Sequence, residues 1–357
     1  MNSMPARLLV LAALLPIAAD AATPLFSSDA TLAIRIEAPM RDLVRYRLKK
    51  PEYPAVVTVT DGSGGTVEVP ATISTRGNAR LEVCDFPPIE LDFEAGQAAG
   101  TVFEGLDELK LVTQCRRGAA GERWVHQEYG VYRAYNRLTE ASHRVRMLDV
   151  TYQDATSARW NRETPAFAIE PFEVLADRLG REMLRPARVD PAQLDAGETA
   201  MSLLFQYLIG NTDFAVKRGP EGEGCCHNGR VFAVPGTSDG WIVVPYDFDQ
   251  AGVVDTEYAL PDERLGIRRV TQRAYRGFCA HNDRLAGAIG RMNAEREAIT
   301  AELAPAMLSS SARARATRFI DGFYDIVNDP EELREKVLAQ CRGAAAFEVH
   351  KTRTTGR

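Results

Sequence analysis

The chain has 357 residues, a formal net charge of −6, 45% hydrophobic residues and 26% charged residues. That composition belongs to a globular chain with a real apolar core and excludes a disordered one. The mild acidity argues against nucleic acid or an anionic membrane surface as a main partner.

The first elements read as an export signal. Arg7 supplies the charge, Leu8 to Ala18 the apolar run, and Ala19-Asp20-Ala21 the small-x-small pattern at which cleavage is expected. Residues 1–21 are therefore assigned to a signal peptide, and the run is too short to be a comfortable membrane anchor. No later stretch approaches a span, so an exported protein, periplasmic or extracellular and without a membrane span after cleavage, is expected. Six cysteines, Cys84, Cys115, Cys225, Cys226, Cys279 and Cys341, fit disulfides in such a compartment. Cys84 with Cys115 is expected to tie two neighbouring strands, and the adjacent Cys225 and Cys226 are each expected to bond a distant partner.

From Thr31 to Phe93 the chain reads as strands. Leu32, Ile34 and Ile36 alternate, Val56 to Val59 is β-branched, and Asp61 to Gly65 is a turn. Thr72 to Thr75 runs into Arg76-Gly77-Asn78, and Pro88 to Phe93 alternates on the way back. Leu109 to Val112 is a further strand, on which Lys110 points opposite to its two leucine neighbours. Val125, Tyr129, Tyr132 and Tyr135 then recur at helical spacing over His126 to Glu140, with Glu128 on the same stripe. Arg144 to Tyr152 returns to strand alternation, Phe167 to Glu170 is a short apolar run ending in an acid, and Phe172 to Leu179 is a helix.

The second half reads as mostly helical. Met201, Leu204, Phe205 and Leu208 share a helix face that Gly210 terminates, leaving Asn211-Thr212-Asp213 in a loop. Arg230 to Val234 and Trp241 to Val244 form a hairpin that runs into Pro245-Tyr246-Asp247-Phe248-Asp249. Helices interrupted by Pro305 and Pro330 fill Asp283 to Cys341.

Polar residues at the ends of these elements can converge on a ligand. Asp213, Asn228, Asp247 and Asp249 are hard oxygen donors that suit magnesium bound together with phosphate. Lys110 on a strand and Glu128 on the next helix are the right types for an ion pair that holds a lysine against a nucleotide phosphate. The histidines have neither zinc-ligand spacing nor a nucleophile motif beside them.

The runs Arg76-Gly77-Asn78, Phe86-Pro87-Pro88, Leu109-Lys110-Leu111-Val112, Phe167-Ala168-Ile169-Glu170, Gly210-Asn211-Thr212-Asp213, His227-Asn228 and Tyr246-Asp247-Phe248-Asp249 resemble, in order, those of the CotH family of atypical secreted kinases. The similarity extends from about Thr31 to Val254. It implies a catalytic Asp213, nucleotide contacts from Lys110, Glu128 and Arg76, an adenine-side segment ending at Glu170, and magnesium held by Asn228 and Asp247, with Asp249 beside them. It departs from ordinary kinases in lacking His-Arg-Asp, a glycine-rich G-x-G-x-x-G loop and the Gly of Asp-Phe-Gly.

The expected fold is α+β, an atypical kinase-like two-lobed fold. A β-rich N-terminal lobe would span residues 22–170, a helical C-terminal lobe with the catalytic hairpin residues 171–345, and a flexible tail residues 346–357. The expected function is ATP- and Mg2+-dependent phosphoryl transfer to a hydroxyl of an unknown protein substrate or small molecule. A non-catalytic envelope pseudokinase serving as a binding scaffold and a metal-dependent phosphohydrolase are the alternatives.

Overall fold

A computed structural model describes residues 23–60, 64–94 and 96–343. The signal segment, the tip of the first hairpin at residues 61–63 and the tail assignment from 346 lie outside the described residues.

The N-terminal half is a closed barrel. In chain order its elements are β1 (Leu32–Ala38), α1 (Met40–Arg45), β2 (Tyr53–Thr60), β3 (Thr66–Thr75), α2 (Ala79–Val83), β4 (Ile89–Phe93), β5 (Glu108–Thr113), α3 (Ala119–Asn136), β6 (Val145–Asp154) and β7 (Arg162–Ile169). The seven strands run β1-β2-β3-β4-β5-β7-β6 and return to β1. All neighbours are antiparallel except β1 and β6, which pair in parallel from Leu32 opposite Leu148 to Ala38 opposite Asp154.

This closure corrects the kinase-like two-lobed expectation. Helices and sheet are both present, but β1 uses both of its edges, so the N-terminal half is a mixed seven-stranded barrel and not a kinase lobe. Closure removes the free strand edges that an open sheet must protect.

Strand alternation decides what faces the barrel interior. Ile34, Ile36, Val57, Val69, Ile73, Leu91, Leu109, Leu111, Leu148, Val150, Ala166 and Ala168 form one buried cluster. Their neighbours point outward, and on β6 and β7 the outward residues Val145, Met147, Phe167 and Ile169 are themselves buried, in a second cluster with Tyr132 and Tyr135 of α3. Period-two strands with apolar residues on both faces are what a sheet covered by a helix requires.

The C-terminal half supplies the rest of that second core. It contains α4 (Phe172–Leu179), β8 (Glu182–Leu184), α5 (Ala196–Ile209), β9 (Gly229–Ala233), β10 (Ile242–Pro245), α6 (Leu285–Ala294), α7 (Arg296–Leu303), α8 (Ser310–Asn328) and α9 (Pro330–Lys336). Leu204, Phe205 and Leu208 of α5, Met292 of α6, Ile299 of α7 and Phe323 of α8 join the barrel's outward residues. One apolar core therefore crosses the expected boundary near residue 170. Strands β10, β9 and β8 form a small antiparallel sheet in that order.

Helix ends follow their sequence signals. Asp195 caps α5 by accepting from Glu198 N at 2.8 Å, and Gly210 ends it at φ 65°. Asp329 accepts from Glu331 N and Glu332 N, with Pro330 in the first turn of α9.

Three disulfides are present. Cys84–Cys115 joins the segments after α2 and β5, as expected, and Cys279–Cys341 ties the end of the described chain to the segment before α6. Cys225 bonds its neighbour Cys226, which corrects the expectation of distant partners. Among the described residues no helix is long and apolar enough to cross a membrane.

Candidate functional site

A cavity of about 520 Å³ opens where the outer face of the barrel meets the small sheet. Lys50, Arg76, Glu90, Lys110, Glu128, Tyr132, His143, Glu170, Phe172, Arg230, Tyr246 and Asp247 are among its lining residues. Five of the residues expected at a site, Arg76, Lys110, Glu128, Glu170 and Asp247, thus meet in one cleft.

Lys110 reaches the cleft because its β5 neighbours Leu109 and Leu111 fill the barrel. Its ammonium pairs with Glu108 on its own strand and lies 3.9 Å from Glu90, its cross-strand partner on β4. The expected Lys110–Glu128 ion pair is therefore absent.

Glu128 is held by Arg80 instead. This guanidinium, on the short helix α2, donates from Nη2 to Glu128 Oε1 at 2.7 Å and to Asp247 Oδ1 at 2.9 Å, and from Nε to Asp249 Oδ2 at 2.7 Å. One buried cation thus gathers three carboxylates from α3 and from the segment after β10. Burial pushes Glu128 up to about 7, against the pull of Arg80 and with repulsion from Asp249 and Asp247. The same three acids hold Arg80 well above its ordinary value although burial opposes it.

Asp247 and Asp249 divide by the alternation of their backbone. Phe248 between them is fully buried, with its ring 4.8 Å from that of Tyr132. Asp247 sits at φ 62°, donates its backbone N–H to Tyr132 Oη at 2.9 Å, and keeps a side chain 44% exposed toward the cleft. Asp249 is closed off at 7% and faces Arg80. A left-handed backbone at a non-glycine residue is strained and is held only by such surroundings.

Asp213 follows the Gly210 cap of α5 and stands beside the cleft. Its Oδ1 lies 2.9 Å from His227 Nε2, and its Oδ2 accepts from Asn228 Nδ2 at 3.0 Å and Gln250 Nε2 at 2.6 Å. Asn228 also donates to the Asp213 carbonyl at 2.7 Å and itself adopts φ 49°. His227 is raised above its ordinary value by its hydrogen bond to Asp213. The Asp213 charge acts on Asp247, whose carboxyl, though open to the cleft, is raised chiefly by the loss of surrounding water within it and next by Asp249.

Glu170 has a structural task. Arg178 donates to both of its carboxylate oxygens at 2.9 Å, Arg144 N donates to Oε2, and its own N–H and carbonyl are taken by Arg144 O and by His143 Nδ1. Because a carbonyl only accepts, His143 Nδ1 carries the proton, and burial depresses this imidazole to about 4.

The donor set partly fits magnesium. Asp247 presents a partly exposed carboxylate that lines the cavity, and Asn228 keeps its amide oxygen outside its bonds to Asp213, so Asp247 is the first and Asn228 the second oxygen that could serve an ion. Asp249 does not fit, because its carboxylate faces Arg80 away from the cleft. Glu90, Asp92 and Glu108 also bring carboxylate oxygens together, with Lys110 among them.

Sequence reasoning missed Arg80, Arg230, His227 as a partner of Asp213, and Gln250. Arg80 lies two residues beyond the Arg76-Gly77-Asn78 run, and nothing local distinguishes it from a surface arginine. His227 was legible only through its adjacency to Asn228. No protein-family model matches this chain, and no curated protein or solved structure is matched by it.

Proposed function

We propose that the cleft is a phosphoryl-transfer site, taking a magnesium-bound nucleoside triphosphate and transferring its terminal phosphate to a hydroxyl, as the likeness to CotH kinases implies. The observation that carries this reading is the meeting of Arg76 and Lys110 with the partly exposed carboxylate of Asp247 in one cavity, with Asp213 alongside. Cations for phosphate oxygens and a hard carboxylate for the metal are the parts that phosphoryl transfer needs, since its catalysis is mostly positioning and charge stabilisation. Magnesium bound there would neutralise phosphate charge.

The chain's own groups take definite roles in this reading. Lys110 and Arg76 bind phosphate from the barrel side. Asp213, fixed by three side-chain donors, orients the attacking hydroxyl. Three disulfides support an oxidising compartment, in keeping with an exported protein whose reaction runs in the periplasm or outside the cell.

A second reading, a scaffold that binds ligand without catalysis, is favoured by Arg80, which occupies the carboxylates of Glu128, Asp247 and Asp249 together. Calorimetry with ATP and magnesium on the parent, Lys110→Ala and Asp247→Ala, followed by product analysis, separates the two. Magnesium-dependent binding lost in both variants, with phosphate appearing on an acceptor hydroxyl, supports transfer. Binding without product leaves the scaffold, release of free phosphate indicates hydrolysis, and no binding at millimolar nucleotide by folded protein rejects the site.

A further inference from the structure

The cleft holds two arginines that, among the described residues, stand in no ion pair. Lys110 faces Glu90 and Glu108, Glu128 faces Arg80, and Glu170 faces Arg178. Among the described residues Lys50 reaches the side-chain oxygen of Asn78, at 3.5 Å, and no carboxylate. Arg76, at the end of β3, and Arg230, on β9, have no carboxylate oxygen within 4.0 Å among the described residues. Both line the cavity, one at the end of a barrel strand and one on the small sheet.

Arg230 is the more telling of the two. Its guanidinium carbon lies 5.0 Å from the centre of the Phe172 ring, so an aromatic face holds one side of it. Its Nε is shut off from water and has no hydrogen-bond partner. Burying that one donor without an acceptor is costly, while the residue as a whole is only half-buried and lines the cavity, where a counter-charge can reach the rest of the fork. Two residues earlier the same segment carries Asn228, which fixes Asp213, so a ligand on Arg230 would be placed beside the proposed transfer site.

We infer that Arg230, acting together with Arg76, is a phosphate-binding residue that completes the cleft's cation set around an oligophosphate chain. This rests on the phosphoryl-transfer reading and adds the group that grips phosphate from the side of the small sheet. A planar guanidinium fork matches phosphate oxygens in pairs, whereas an ammonium offers a single point charge. The clamp reads the phosphate chain and not the base, so inorganic tripolyphosphate binds the same place.

The test is calorimetric titration of the full chain, disulfides intact, with inorganic tripolyphosphate and with ATP, each with magnesium, and with sulfate as the control for any anion. Arg230→Gln is expected to weaken tripolyphosphate and ATP alike, by about 10- to 100-fold, the range of one lost charge-assisted contact. Arg230→Lys is expected to recover part of that loss, and circular dichroism checks that both variants are folded. Affinities in folded Arg230→Gln within twofold of a binding parent overturn the assignment while leaving phosphoryl transfer standing. Sulfate matching tripolyphosphate also overturns it. A parent that binds neither phosphate compound rejects the phosphoryl-transfer reading itself, a result distinct from the other two.

Discussion

Arg80 is the residue on which the site's internal order depends. It bonds Glu128, Asp247 and Asp249 at 2.7–2.9 Å from a side chain only 10% exposed. Replacing it with methionine keeps the bulk and strands buried carboxylates, so a loss of about 3–5 kcal/mol is expected in urea unfolding at neutral pH. Glu128 and His143 should leave opposite marks on pH dependence. Glu128 rises from 4.5 to about 7 on folding, so the native state binds the extra proton and stability falls as pH climbs through that interval. His143 falls from 6.5 to about 4, so the unfolded state binds the extra proton and stability falls as pH drops through that interval. The two slopes oppose each other in the parent. The unfolding free energy of Glu128→Gln should therefore rise with pH between about 4 and 6.5, and that of His143→Phe should fall with pH between about 4.5 and 7. A parent, Glu128→Gln and His143→Phe with parallel profiles would contradict both assignments. Residue types and order made Lys110, Asp213 and Asp247 visible in the sequence. The exchange of Glu128's partner from Lys110 to Arg80 was not visible, because that contact joins residues 48 positions apart through folding alone.

At the scale of elements, period was a good guide wherever one face is buried. The alternation over Leu32 to Ile36, the lone outward Lys110 between two inward leucines, and the α5 stripe ended by Gly210 all stand in the structure. Short pieces escaped: α2 has five residues and β8 three, too few for a period to declare itself. Helix α3 begins at Ala119, earlier than its aromatic stripe announced, because its first turn carries small residues. Close approach is the other thing that period does not report. At Gly130, α3 meets the backbone of α7, and a Cβ there would fall inside contact distance of the Glu302 carbonyl oxygen. Gly130→Ala must push one helix away, and a destabilisation of about 1–3 kcal/mol is expected from the shift in thermal midpoint. By contrast, Gly287→Ala on α6 meets nothing within 4 Å and should leave the midpoint unchanged or slightly raised.

At the scale of the molecule, the expectation of strands first and helices later was sound, and the arrangement of those strands was not. Nothing in the alternation of β1 states that it will pair with β6, because pairing partners over such a separation leave no local pattern. Cross-links act at the same scale. Cys84–Cys115 closes 31 residues and Cys279–Cys341 closes 62, so replacing either pair by alanine should cost about 2–4 kcal/mol in urea unfolding. The longer closure should cost slightly more, since the chain entropy of the unfolded state grows with loop length.

The parallel seam between β1 and β6 also sets an order of events in time. A chain made from its N-terminus has β1 to β5 in hand after Thr113, yet β1 keeps one vacant edge until Val145 to Asp154 has emerged. The last wall goes in later still, because β7 must slot between β5 and β6 with residues up to Ile169. Until then the emerging half presents two ladder edges that any extended segment can occupy. Fragments ending near residue 140 should accordingly be sticky and prone to self-association, and fragments that reach past β7 should lose that stickiness as the seam zips shut.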